Sequence, residues 1–143
     1  MSDAARPWAE LQLFRPGSVL IMEGGKSGAL LILKQGKVEV NREGVTVATI
    51  DQRGAIFGEI SVLLDIPHSA SVQAVTAVEA YVIADALATL ESKPGWSLHL
   101  ARLLAQRVLT TTAALVASQQ SVQQPEVIIL PEQAVALLGD PQV

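Results

Sequence analysis

The sequence predicts a mainly β protein with flanking helices: an antiparallel β-roll or jelly roll (a double-stranded β-helix) carrying a short inserted helix and a long C-terminal helix. Three observations carry that prediction. Short β-rich runs are punctuated by glycines at positions 17, 24, 25, 28, 36, 44, 54 and 58, and short strands at such spacing belong to rolls and sandwiches. The hydrophobic period changes from that of strands to that of helices after Asp85. Between these two parts, Gly58 opens the apolar stretch Glu59-Ile60-Ser61-Val62-Leu63-Leu64, which has helical character.

The elements follow in chain order. Ala4 to Leu13 is expected as an N-terminal helix, broken by Pro16-Gly17. Strands are expected at Ser18 to Met22, Ala29 to Leu33, Lys37 to Asn41 and Val45 to Ile50. Lys37-Val38-Glu39-Val40 alternates clearly, and Arg42-Glu43-Gly44 makes a hairpin turn. Ser69 to Ile83 reads as two further strands or one long bent strand. Asp85 is placed to cap a helix over Ala86 to Ser92, and Pro94-Gly95 interrupts before a long helix from about Trp96 to Gln120. On that helix Ala101, Leu104, Val108, Thr111, Leu115 and Ser118 form a seam, with Leu100 and Leu103 beside it. Such a helix can face both its own roll and a partner, so a homodimer through it is expected. Residues 1–121 are thus read as one domain and 122–143 as a proline-containing tail. The tail's apolar pieces, Val127 to Leu130 and Ala134 to Leu138, favour docking over disorder.

Composition narrows the function. Half of the 143 residues are hydrophobic and only 3% aromatic, so the core must be aliphatic. The absence of Cys removes disulfides and thiolate metal sites. No basic-then-apolar leader and no spanning apolar run is present, so a cytoplasmic protein without membrane contact is expected. The net charge is −4 and no Lys or Arg follows Arg107, which argues against DNA binding.

The chemistry concentrates between Gly54 and Val75. The first turn of a helix beginning after Gly58 has N–H groups without intrahelical partners and a partial positive charge, and both favour an anion. Glu59 would lie beside that anion. A carboxylate is a poor phosphate ligand but a good acceptor for a sugar hydroxyl, so the pairing points to a nucleotide or sugar phosphate. After the turn at Pro67, His68 and Ser69 could return a donor and a hydroxyl to the same anion.

With Phe57-Gly58-Glu59, the apolar Ile60 to Leu63 and then Pro67-His68-Ser69-Ala70-Ser71-Val72, this segment resembles the phosphate-binding cassette of the cyclic-nucleotide-binding domain family. That family includes the catabolite activator and the regulatory subunits of cyclic-AMP-dependent kinase. The resemblance implies a non-enzymatic regulatory module without a bound cofactor, whose ligand is cyclic AMP or cyclic GMP. It implies that Glu59 accepts the ribose 2′-hydroxyl, that amides near Gly58, Ile60 and Ser61 meet the cyclic phosphate, and that Phe57 belongs to the same ligand site. Ser69 and Ala70 would line the same site. More weakly, Thr111-Thr112 falls near a hydroxyl pair that reaches the base in the catabolite activator branch. The transcription-factor members carry a helix-turn-helix after the long helix, which is not expected here, and the chain reads as a stand-alone module or a piece of something larger.

His68 stands where the family pattern has an arginine. Arginine supplies a permanent charge and a fork matched to two phosphate oxygens, whereas histidine brings at most one convergent donor and is mostly neutral near pH 7. Charge-assisted hydrogen bonds contribute roughly 1.5–3 kcal/mol each, so affinity lower by about ten- to a few-hundred-fold, or an altered specificity, is expected. Phosphate affinity would then fall as pH rises from about 6 to 8. A ligand-free scaffold that presents a dimerising helix is the alternative.

Other chemistries fit poorly. Gly25-Lys26-Ser27 echoes the end of a P-loop, but Leu20 stands where that pattern needs glycine. A cupin-like metal centre needs several converging ligands, and the chain has two histidines, His68 and His99. Ser69 and Ser71 lack a base and acid in a triad-like order. Glu23 is read as a solvated loop carboxylate.

Overall fold

The computed structural model describes residues 8–117 and 127–138. Nine strands and four helices are found among them: β1 (Glu10–Phe14), β2 (Val19–Ile21), β3 (Leu30–Gln35), β4 (Val38–Arg42), β5 (Val45–Ile50), β6 (Ala55–Phe57), α1 (Glu59–Leu64), β7 (Ser71–Ala74), β8 (Val78–Ile83), α2 (Ala86–Ser92), α3 (Pro94–Ala117), β9 (Ile128–Ile129) and α4 (Glu132–Ala136). The strands form two antiparallel sheets, ordered β1-β8-β3-β6-β9 and β2-β7-β4-β5, which bears out the β-roll with its inserted and long helices.

Period-two alternation explains the layering. On β3, Leu31 and Leu33 point into the roll while Leu30 and Ile32 point outward to a second core beneath the helices. β6 repeats the pattern, with Ala55 and Phe57 inside and Ile56 outside. β3 and β6 are therefore buried on both faces, which is why they read as continuous apolar runs, whereas β1 at the sheet edge is largely exposed. The second sheet closes the roll with Val38, Val72, Ala74 and Ile50. Trp96, Leu100, Leu90 and Ala86 bring α2 and α3 onto the outer core, and Trp8 meets Trp96 edge to face at 5.5 Å.

Two expectations change. Of the proposed N-terminal helix, Glu10 to Leu13 is strand β1, registered along β8 from Glu10 opposite Val82 to Phe14 opposite Val78. Residues 4–7 lie outside the described residues. The fold supplies β8 as a template, and pairing with it outweighs the weak local helical pattern. Pro94-Gly95 does not interrupt before α3 but opens it, since proline at the first helical position surrenders an N–H that has no partner there. Asp85 caps α2 as expected, accepting from the Ala88 amide at 3.4 Å. The hairpin turn narrows to Glu43-Gly44, both at positive φ, and Arg42 belongs to the strand. Residues 118–120 of the expected long helix fall outside the described residues.

The segment 127–138 packs on the roll. β9 joins the edge of β6, with Ile128 opposite Ile56 and Ile129 opposite Ala55. Leu130, Ala134, Val135 and Leu138 enter the outer core. Arg53 and Glu132 form an exposed ion pair at 3.0 Å. The approach is close at Gly54: its φ is 94°, its N–H donates to the Leu33 carbonyl at 2.8 Å, and a Cβ there would collide with the Leu130 carbonyl.

Gly54→Ala is therefore expected to destabilise the fold by about 1–3 kcal/mol through backbone strain alone. Hydrogen exchange of the Leu130 amide, which donates to the Gly54 carbonyl at 2.8 Å, should accelerate more than that of β3. Equal protection in the variant would show that the tail does not depend on this contact.

Candidate functional site

The cassette is shaped by two left-handed residues. Gly58, at φ 95°, turns the chain out of β6 into α1 and offers no side chain to cap the helix start. Asp65, at φ 56°, ends α1 with its N–H on the Ser61 carbonyl, while the Ser61 hydroxyl donates to the Ile66 carbonyl at 2.6 Å. The Ser61 side chain thus closes the turn.

A cavity of about 300 Å³ opens between this turn and the second sheet, at the lower end of small-molecule sites, roughly 300–1,000 Å³. Phe57, Gly58, Glu59, Ile60, Ser61, His68, Ser69 and Ala70 all line it. Its far walls are apolar, from Ile21, Val40, Val47, Ala48, Val72 and the tail residue Val127. Glu59 is 4% exposed. Thr111 and Thr112 are exposed on the last turns of α3 and do not line the cavity.

His68 is in the cavity wall but is committed to its own surroundings. It is 6% exposed, its Nε2 lies 3.0 Å from the Ser27 hydroxyl, and its backbone exchanges 2.8 Å bonds with the turn at Gly24-Gly25. Burial pushes the imidazole pKa below its ordinary value. The ring is thus neutral near pH 7, and the pH window for any imidazolium contact lies lower than the sequence implied. Lys26 adds an exposed ion pair to Asp65 at 2.7 Å, which holds that carboxyl below the usual carboxylate range.

Two residues escaped the sequence reading. Glu23 is not a solvated loop carboxylate: its two oxygens accept the Glu43 amide at 3.0 and 3.3 Å, and its own N–H donates to the Ser71 hydroxyl at 2.8 Å. Arg42 lines the cavity, donating from Nε to the Ser69 carbonyl at 3.2 Å and from Nη2 to the Ser69 hydroxyl at 3.4 Å. The signal was present, since the alternation of Val38 and Val40 continued one step places Arg42 on the same inward face. Its neighbours Glu43-Gly44 drew it into the predicted turn.

A roll that encloses a small cavity against a glycine-initiated helical turn, with a buried carboxylate in its wall, has the form of a small-ligand-binding domain. The chain belongs to the cyclic nucleotide-binding domain family, whose model matches residues 11–89. It is 42% identical over 64 residues to a cGMP-dependent protein kinase of Eimeria tenella, covering 45% of this chain and 6% of that protein. The catabolite activator protein of Thermus thermophilus superposes with a TM-score of 0.63 at 29% identity, over 77% of this chain and 55% of that one. The regulatory subunit of a cAMP-independent protein kinase A from Trypanosoma cruzi, bound to guanosine, shares the fold with a TM-score of 0.51 at 23% identity, over 54% and 28% of the two chains. The chain thus spans less than a tenth of the length of the curated cGMP-dependent kinases it matches. Among the described residues no helix is long and apolar enough to cross a membrane, and no group of three or more metal-ligating side chains converges.

His68 links the site to acid stability. The unfolded chain takes up a proton near the ordinary histidine pKa of 6.5, whereas the folded ring resists it until a lower pH. Between the two the unfolded state binds more protons, so this contribution is complete above about pH 6.5 and is lost as the pH falls. The thermal midpoint should drop through that window, and His68→Gln should flatten the curve there. An unchanged slope in the variant would remove His68 as the cause.

Proposed function

We propose that this chain is a regulatory module that binds a cyclic nucleotide, cyclic AMP or cyclic GMP, in the cavity between the cassette and the second sheet. The observation that carries this reading is the convergence of Glu59 with the Gly58 to Ser61 backbone on one cavity of nucleotide scale. The cyclic phosphate lies against the α1 turn and Ser69, Glu59 accepts a ribose hydroxyl, and the base rests on the apolar wall that includes Val40 and Val127. With His68 neutral and held by Ser27, the cassette lacks the fork that an arginine at that position would give, and affinity is reduced or specificity altered accordingly.

Occupancy acts on the helices. The cassette helix carries Val62 into the outer core shared with Leu90, Trp96 and Leu100, so a ligand that draws the α1 turn inward shifts the packing of α2 and α3. Leu98, Val108, Leu109, Leu115 and Val116 are exposed on α3, and we assign this surface to a second copy of the chain. Leu104, expected in the same seam, instead packs on the chain's own core. No catalytic step, membrane contact or DNA contact enters this reading, and a cytoplasmic setting accords with it.

Cyclic AMP or cyclic GMP is expected to raise the thermal midpoint, by about 2.7 kcal/mol of stability at a ligand concentration one hundred times Kd. Glu59→Gln should weaken that effect. If neither nucleotide moves the midpoint of the wild type or of His68→Arg, the ligand-free scaffold replaces this reading. Separately, light scattering should report a dimer that Leu109→Glu with Val116→Glu converts to monomer; a monomeric wild type would remove the assignment of α3.

A further inference from the structure

We propose that Arg42 supplies the cation of this cavity, meeting ligand phosphate oxygens from β4, the strand paired with β7, rather than from position 68, where the family pattern places an arginine. The inference rests on the nucleotide reading above for its ligand but on separate observations for its residue.

The first observation is the face on which Arg42 lies. Val38 is fully buried in the roll and Val40 packs against the same core, so period-two alternation along β4 puts Arg42 on their face, where its side chain is exposed at the edge of the cavity it lines. The second is its position relative to the cassette. Asn41 stands opposite Ser71 in the β4–β7 ladder, which sets Arg42 beside Ala70 and Ser69, the residues that follow His68.

The third observation is how the side chain is held. Nε and Nη2 engage the Ser69 carbonyl and hydroxyl, occupying one edge of a planar group with five N–H donors. Among the described residues no carboxylate forms an ion pair with it, so its charge is not neutralised locally. The Glu23 carboxylate fixes the next amide, that of Glu43, and thereby the end of the strand. Arg42 is thus oriented before any ligand arrives, with donors remaining for an oxyanion. Glu59, lining the same cavity, is kept for hydroxyl acceptance rather than phosphate contact. The ligand chemistry this requires is a phosphate-type anion, whether a cyclic phosphodiester or free phosphate.

Calorimetric titration of the full chain with cyclic AMP, cyclic GMP, guanosine and inorganic phosphate tests this, with Ser69 amide shifts followed by NMR. Arg42→Gln should weaken cyclic nucleotide binding by about ten- to a hundred-fold, from the loss of charge-assisted contacts. Arg42→Lys, which retains the charge and loses the fork, should fall between. Arg42→Gln combined with His68→Arg should recover part of the loss. Any guanosine affinity should be unchanged by Arg42→Gln; an equal loss for guanosine would mean that Arg42 only shapes the cavity and would overturn the inference. Cyclic nucleotide binding equal in wild type and Arg42→Gln overturns Arg42 and leaves the nucleotide reading standing. If phosphate moves the Ser69 amide in the wild type but not in Arg42→Gln, and no cyclic nucleotide binds, the nucleotide reading falls while Arg42 stands. Silence towards all four ligands ends both.

Discussion

The site depends on the close approach at Gly58. A Cβ at this residue would lie 2.7 Å from the Ala29 carbonyl and 3.5 Å from the His68 ring, and its φ of 95° is one that L side chains rarely adopt. Only a residue without a side chain lets β6 turn into α1 while the loop between β2 and β3 lies against the turn. That loop is held in return, by backbone bonds between Gly24-Gly25 and His68 and by Ser27 on the imidazole. The turn into α1, the burial of Glu59 and the packing of His68 meet at this one contact.

Charge in the cavity is arranged differently from what the cassette sequence implies. The position where the family pattern has an arginine carries a neutral ring bonded to a serine, and the guanidinium comes instead from the end of β4. These two facts are coupled through Ser69, which follows His68 in the chain and receives the Arg42 hydrogen bonds. The α1 turn and the loop into β7 line one side of the cavity, and Arg42 lines it from the end of β4.

The outer face of the first sheet connects this cavity to the helices and to the tail. Ile56 lies on the strand that leads into the cassette, between the roll and the outer core where α3 and the 127–138 segment meet. Val127 reaches the cavity, and Val135 is fully buried in the outer core. A displacement of α1 is thus felt by Val62 against the α2 and α3 packing, and by the tail through β6. The apolar composition of the tail is explained by this double attachment, which requires a strand edge on one side and a buried aliphatic surface on the other.

The sequence by itself determined the roll, the cassette helix, the cap at Asp85 and most strand positions, because each rests on local chemistry: glycine at left-handed turns, alternation on strands, a side-chain acceptor before a helix. It also brought together eight residues that line one cavity, since they are contiguous across a short turn and a strand. It misplaced β1, whose identity is decided by pairing with β8, more than sixty residues away in the chain. It missed Arg42 and the role of Glu23, because both depend on which strand lies beside the cassette and not on neighbours in sequence. Thr111 and Thr112, exposed on α3, are not among the residues that line the cavity of this chain. The tertiary structure alone decided where the charge sits, because electrostatics acts through space: a guanidinium on β4 and an imidazole on the way into β7 are distant in the chain and adjacent in the fold.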